Sequence, residues 1–235
     1  MDLYLARHGR STGNAPGQII GWADHPLSAE GVRQAEALAR RSALLEPMPV
    51  WCSDLLRARA TAETVVEIWG SGTTRLTRDP RLRELNMGVL EDRPYDEFTA
   101  DAELASALEH DLLNTRMPGG EALAELAERS VAAFDEILTC GAPAALVVAH
   151  DGPLRAIVNH VLAVPPERFF ALTFAHGGLS LLRADDGYIT VDFLNDTSHL
   201  GDLAEASRLA QGAVPPEGEE GSATGVFEQG PGEDA

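Results

Sequence analysis

An α/β fold, built as a three-layer α/β/α sandwich around a mainly parallel central sheet, is predicted by three observations. Two short apolar runs, Asp2–Ala6 and Ala144–Ala149, are rich in Leu, Val and Ala, as expected of strands buried on both faces. Amphipathic helical stretches alternate with strand-like segments along the chain. Two of those helices directly follow a strand, the arrangement that parallel crossovers require.

The first strand, Asp2–Ala6, has no basic flank, so it reads as a strand and not as a signal peptide. Ser28 is placed to cap a helix running to about Leu45, with Val32, Ala35, Leu38, Ala39, Ser42 and Leu45 along its inner face. Val50–Ser53 is a weaker strand, and Asp54–Trp69 is the helix after it. Glu121–Leu138 repeats the helical pattern through Leu123, Leu126, Ser130, Phe134 and Ile137, and Pro153–Leu162 is a helix following the strand Ala144–Ala149. Leu179–Arg183 and Ile189–Leu194 flank Asp185-Asp186-Gly187, a hairpin signature. No internal repeat is visible.

At 235 residues the chain is long enough for one sizeable domain, assigned to residues 1–205. Residues 206–235 form an acidic tail, rich in Gly, Pro and Glu from about Gln211, whose composition predicts disorder. No apolar run approaches the ~20 residues of a membrane-spanning helix, and a cytoplasmic location is expected. Cys52 and Cys140 fit neither a disulfide framework nor a ligand set, and both are expected in the core. The net charge is -19, with arginine as every one of the 18 basic residues. So acidic a surface disfavours nucleic acid and anionic membranes as partners, and any anion site must be a local concentration of Arg and His.

Such a concentration lies at the expected carboxyl ends of the strands, where ligands bind in open α/β sheets. His8 ends the first strand and His150 ends Ala144–Ala149. Arg7 precedes His8, Gly9 follows it at a tight turn, and Ser11, Thr12 and Asn14 supply polar groups at an expected helix start. Arg57 falls one turn into the helix after Val50–Ser53, with Arg59 as its competitor. Glu84 is the acidic group expected there; Glu91 and Asp92 are close enough to serve instead. Taken alone, His8 would be read as a hydrogen-bonded core histidine. His25, His110, His160 and His176 are read as structural or solvated, and His199 is given no role.

Arg7-His8-Gly9-Arg10-Ser11-Thr12-Gly13-Asn14 resembles the signature of the histidine phosphatase superfamily, the phosphoglycerate mutase-like proteins. The likeness continues in order through Asp24-His25-Pro26-Leu27-Ser28, Ser53-Asp54-Leu55 with Arg57-Ala58, Leu82-Arg83-Glu84 with Gly88, Pro118-Gly119-Gly120-Glu121 and Ala149-His150, over roughly residues 1–200. The resemblance implies the phosphoglycerate mutase-like version of the fold. It also implies His8 as the nucleophile that carries the phosphoryl group, with Arg7, Arg57 and His150 on the phosphate oxygens. Ser11 and Asn14 would be further donors. Glu84 would protonate the leaving oxygen and later deprotonate water. Neither a metal nor a cofactor is implied, because arginines supply the clamp. Adjacent guanidinium groups are expected to keep His8 unprotonated.

Three positions depart from the pattern. Arg10 stands where Glu or Gln is common, and either meets a second anionic group or pairs with an acidic neighbour. Asp151 stands where Gly is usual, and weakens phosphate binding unless it turns away or meets a cation. Val89-Leu90-Glu91-Asp92 lacks the usual aromatic and Gly. Because 86–117 holds only Arg93 and Arg116 as basic residues, hydrolysis of small phosphate monoesters is expected over mutase-type transfer; a non-catalytic phosphate-binding module is the remaining alternative. Sugar phosphates, phosphoserine-like metabolites and nucleotide-derived monoesters all remain open as substrates, and so does the oligomeric state.

Overall fold

A computed structural model describes residues 1–70 and 74–204; the tail assigned to 206–235 lies outside them. The strands are β1 (Asp2–Arg7), β2 (Val50–Cys52), β3 (Leu76–Arg78), β4 (Ala144–Ala149), β5 (Leu179–Asp185) and β6 (Tyr188–Asp196), in the spatial order β3-β2-β4-β1-β5-β6. β3, β2, β4 and β1 run parallel, whereas β5 pairs antiparallel with β1 and with β6. The main helices are α1 (Ala29–Ser42), α2 (Leu56–Trp69), α3 (Tyr95–Ala100), α4 (Ala102–His110), α5 (Leu123–Leu138) and α6 (Asp151–Val161).

Alternation along the central strands creates two separate cores. Leu3, Leu5, Ala145 and Val147 face α5 and α6, meeting Phe134, Ile137, Leu154 and Ile157. Ala6, Leu146, Val148, Val50 and Cys52 face α1 and α2, meeting Leu38, Ala39, Ala58, Ala62 and Val65. Residues on opposite faces of one pleated strand cannot share a core, so the sheet carries helices on both sides and the three-layer sandwich follows.

Several local expectations meet their physical reasons here. Ser28 Oγ accepts from Gly31 N at 3.0 Å and starts α1. Glu125 Oε2 accepts from Ala122 N at 2.9 Å at the start of α5. Asp186 and Gly187, with φ of 43° and 82°, make the primed turn that joins β5 to β6.

Four expectations need correction. The chain after β1 forms a loop up to Ser28, not a helix, since Gly13, Pro16 and Gly17 leave no helical run there. Gly9 is required by close approach and not by a turn, because a Cβ there would lie 2.3 Å from the Gly31 carbonyl oxygen. In α1, Val32 is exposed while Gln34 is buried, its amide oxygen accepting from Arg10 N at 2.8 Å. Cys52 is in the core, but Cys140 is exposed just beyond α5. Strand β3 and helices α3 and α4 had no sequence signal strong enough to place them.

Between β3 and α5 the chain forms a cap with a small core of its own. That core, Ile19, Leu90, Leu104 and Met117, ties it to the loop after β1. Its two stems cross at backbone contact, with Val89 N donating to Pro118 O at 2.9 Å and Glu121 N to Asn86 O at 3.1 Å. Among the described residues no helix is long and apolar enough to cross a membrane.

Candidate active site

Three adjacent parallel strands, β2, β4 and β1, end in Ser53, His150 and His8. The backbone ladder continues one step past β1 and β2: His8 N donates to Ala149 O at 3.0 Å and Ser53 N to Val148 O at 3.1 Å. The two histidines are thereby fixed by sheet geometry, with ring centroids 4.8 Å apart. Both are almost wholly buried.

His8 has a defined tautomer. Its Nδ1 lies 2.6 Å from Gly9 O, which can only accept, so the proton sits on Nδ1. Nε2 is left with its lone pair, and it accepts from Arg57 Nε at 3.3 Å. Burial first, and then the Arg57 and Arg7 guanidinium groups, hold His8 well below the ordinary histidine range. The direction expected from the neighbouring arginines is therefore right, but desolvation is the larger cause. Burial likewise keeps His150 neutral, aided by Arg57.

Arg57 lies in the first turn of α2, not one turn in, and is 1% exposed. Its Nη1 and Nη2 donate to Ala23 O (2.9 Å) and Gly21 O (2.8 Å), which aims the fork at His8. Burial pushes its pKa down to about 10. Arg59, its competitor in the sequence, faces outward and pairs with Glu63 at 3.6 Å. Arg7 donates from Nη1 to Phe174 O at 2.5 Å. Arg7 Nε and His150 Nδ1 are buried polar atoms with no hydrogen-bond partner among the described residues.

Glu84 is separated from Glu91 and Asp92 by its surroundings. Glu91 Oε1 accepts from Trp22 N at 2.7 Å and Met87 N at 3.1 Å, and Asp92 accepts from His25 Nε2 at 2.6 Å, so both have structural partners. Glu84 Oε1 instead accepts from Leu85 N (3.0 Å) and from Gly152 N (3.1 Å) in the first turn of α6, beside His150. A Cβ at Gly152 would lie 2.3 Å from that oxygen, so glycine is what admits the carboxyl. Burial, and next the Asp151 carboxylate, raise its pKa above the ordinary range. Arg129 on α5 holds this segment: it donates to the carbonyls of Arg81 (2.7 Å), Arg83 (2.7 Å) and Glu84 (2.8 Å), and grips both oxygens of Glu121.

Ser11 is buried and Asn14 half-buried, and the two are tied to each other. Ser11 N and Oγ both donate to Asn14 Oδ1, at 2.9 and 2.8 Å. Arg10 resolves toward an acidic neighbour, pairing with Glu30 at 3.2 Å. Asp151 meets cations of the protein itself: Arg155 at 2.6 Å and Arg7 at 3.8 Å.

Sequence reasoning missed four contributors. Of the two readings given to His176, structural and solvated, the first holds, but at the site itself: it is buried, its ring centroid lies 5.3 Å from that of His8, and burial lowers its pKa. It enters from the loop before β5, outside any motif. Ser53 Oγ pairs with His150 Nε2 at 2.8 Å; Gly152 and Arg129 complete the set. Of these, only Ser53 stands in a motif noted in the sequence, Ser53-Asp54-Leu55, and it is given no role there. Among the described residues no group of three or more His, Cys, Asp or Glu is arranged to hold a metal ion.

Buried neutral imidazoles and two guanidinium groups at parallel strand ends, with a protonatable carboxyl beside them, define an α/β enzyme that handles a phosphoryl group. Residues 3–197 match the histidine phosphatase superfamily (branch 1), and the chain belongs to that superfamily as an enzyme of the histidine phosphatase kind. It is 34% identical over 208 residues to a Yersinia enterocolitica protein named "Probable phosphoglycerate mutase GpmB", covering 85% of this chain and 95% of that one. Among solved structures it is similar to the alpha-ribazole phosphatase of Shigella flexneri (TM-score 0.72, 27% identity, 83% of this chain and 96% of that one). It is also similar to a mycobacterial glucosyl-3-phosphoglycerate phosphatase (TM-score 0.72, 28% identity, 83% and 99%).

Proposed function

We propose that the protein hydrolyses small phosphate monoesters, without a metal, through a phosphohistidine on His8. The observation that carries this reading is the single tautomer of His8: with Nδ1–H committed to Gly9 O, the Nε2 lone pair is the one nucleophilic position, and it lies against the Arg57 fork.

In the first step His8 Nε2 attacks phosphorus as the P–O ester bond breaks, and Glu84 gives its proton to the leaving oxygen. In the second step water attacks phosphorus as the P–N bond breaks, and the Glu84 carboxylate takes the water proton. Phosphate leaves and His8 returns to its neutral form. Arg7, Arg57 and His150 offset the charge on the equatorial oxygens throughout, which is the main demand of phosphoryl transfer. Asn14 serves as a further donor through its amide NH2, and Ser11, whose N–H and O–H both go to Asn14 Oδ1, holds that amide in place. Burial, and next the Asp151 carboxylate, raise the Glu84 pKa, which favours the protonated form that the first step needs.

Hydrolysis is favoured over mutase transfer by the cap. Arg93 pairs with Glu97 at 3.5 Å, and Arg116 is engaged by Glu125. Both lie in exposed pairs, so the cap supplies no unpaired arginine to hold a doubly phosphorylated intermediate while it reorients.

The test is hydrolysis of 4-nitrophenyl phosphate with excess chelator, for wild type and His8→Ala. Chelator-resistant turnover lost in the variant supports the reading. Turnover that survives His8→Ala refutes the nucleophile. A protein that binds phosphate tightly and turns over no monoester would instead be a binding module.

A further inference from the structure

The arginines around the mouth of the site are distributed in an uneven way. Among the described residues Arg57 makes no ion pair, and Arg7 has its nearest carboxylate, Asp151, at 3.8 Å. Their two positive charges match a phosphate monoester, which carries about -1.5 to -2 near neutral pH. Every arginine that adjoins them is already neutralised.

Arg10, two residues beyond His8, is held by Glu30 at 3.2 Å, and Glu30 also accepts from Gln34 at 3.2 Å. Arg83, next to Glu84, is bound bidentately by Asp54 at 2.7 and 2.6 Å. Its guanidinium lies 4.6 Å over the Trp22 ring, and that indole donates to the Glu84 carbonyl at 2.6 Å, so Arg83 is held from two sides. Arg155, one turn beyond Asp151 on α6, is bound to Asp151 at 2.6 Å. All three pairs are partly buried, with side chains 10–29% exposed. A carboxylate or second phosphate on the substrate would have to displace a pre-formed, half-desolvated partner before gaining a cation.

The leaving group departs on the Glu84 side, where Asp151, with Oδ2 taken by Arg155 but Oδ1 no closer than 3.8 Å to Arg7, is a further carboxylate and adds to burial in raising the Glu84 pKa. An anionic leaving group would therefore meet a like charge there. A neutral or cationic one would not.

We propose that the site selects phosphate monoesters of uncharged or cationic alcohols and discriminates against substrates that carry a second anionic group. This rests on the proposed phosphohistidine hydrolysis. The three Arg–carboxylate pairs set the selectivity, by repulsion and by withholding cations, while the phosphate clamp is indifferent to the alcohol.

Glycerol 3-phosphate and 3-phosphoglycerate test this directly, since they differ in a hydroxymethyl against a carboxylate on the same three-carbon frame. The wild type is expected to favour glycerol 3-phosphate in kcat/KM by about tenfold or more at low ionic strength. Glu30→Gln, which frees Arg10 without touching the catalytic groups, is expected to narrow that ratio by raising kcat/KM for 3-phosphoglycerate alone. Equal or preferred use of 3-phosphoglycerate by the wild type overturns the proposal. So does a ratio that Glu30→Gln leaves unchanged. His8→Ala is run with both substrates. Hydrolysis that survives it overturns the phosphohistidine reading while the selectivity remains measurable, so the two failures are distinguishable.

Discussion

Gly152→Ala isolates the placement of Glu84 from the stability of the fold. The added Cβ would stand 2.3 Å from Glu84 Oε1, whereas ordinary contact begins at 3.4 Å, so the carboxyl must retreat by about 1 Å. The hydrogen bond from Gly152 N, now 3.1 Å, is lost with that movement. A displacement of about 1 Å from reacting geometry costs on the order of a hundredfold in rate, or about 2.7 kcal/mol of transition-state stabilisation. The fold itself has little reason to suffer: Ala is favoured over Gly in a helix by up to about 1 kcal/mol. That gain is offset in part by a 3.1 Å approach to Leu126 Cδ1. The assay compares kcat/KM, which ends at formation of the phosphohistidine and so excludes the water step shared by all esters, on 4-nitrophenyl phosphate, whose leaving group departs readily, and on glycerol 2-phosphate, whose alkoxide needs a proton. The alkyl ester is expected to lose about a hundredfold and the aryl ester less than about tenfold, with thermal denaturation nearly unchanged. Equal losses on both esters, or none, would refute the assignment of Glu84 as the proton donor.

Three further outcomes follow from the same geometry. Arg129→Met removes the cation that holds three carbonyls and leaves the Glu121 carboxylate half-buried without its partner. It is expected to destabilise the protein by about 3–5 kcal/mol, read from urea unfolding midpoints; a change below about 1 kcal/mol would contradict the anchoring role. Arg57→Lys keeps a charge but not the fork that spans Gly21, Ala23 and His8, so kcat/KM should fall by about a hundredfold or more, and a loss under about fivefold would count against bidentate use. His8, His150 and His176 all sit below the ordinary value of 6.5 in the folded state. Below about pH 6.5 the unfolded chain therefore takes up protons that the folded chain does not, and stability falls as pH falls, each group contributing at most about 1.4 kcal/mol per pH unit. Replacing His176 with Gln should flatten that acid limb, and an unchanged slope would show that His176 is not held neutral by burial.

What the sequence made legible depended on whether the signal was local. β1 and β4 are continuous apolar runs, and the histidines that end them follow directly from strand direction. The choice among Glu84, Glu91 and Asp92 could not be made locally, because all three carboxylates lie within nine positions and differ only in tertiary partners. It took Trp22, His25 and Arg129, contributed by other segments, to separate them. Hydropathy puts Val32 on the inner face of α1, whereas the buried side chain is Gln34, whose amide has a backbone partner in Arg10. His176 carried no sign at all: its position is set by Gly177 N, which donates to the carbonyls of Arg7 (3.0 Å) and His8 (3.3 Å) from 169 residues away. Short elements such as β3 and α3 are fixed by what they pack on, and no periodicity can develop in three or six residues.

The place of β1 in the sheet has a consequence for how the protein is made. Of the sheet's six strands this is the first to be synthesised, yet both of its neighbours, β4 and β5, begin at Ala144 and Leu179. Until those segments leave the ribosome, Leu3 and Leu5 have no sheet to enter and the nucleophile has no scaffold. The central strand of the folded enzyme is therefore an unpaired apolar segment for most of translation, and its pairing closes loops of more than a hundred residues. Nascent chains stopped before Leu179 should remain open to proteolysis within β1 and devoid of activity, with both properties changing together once β5 is available.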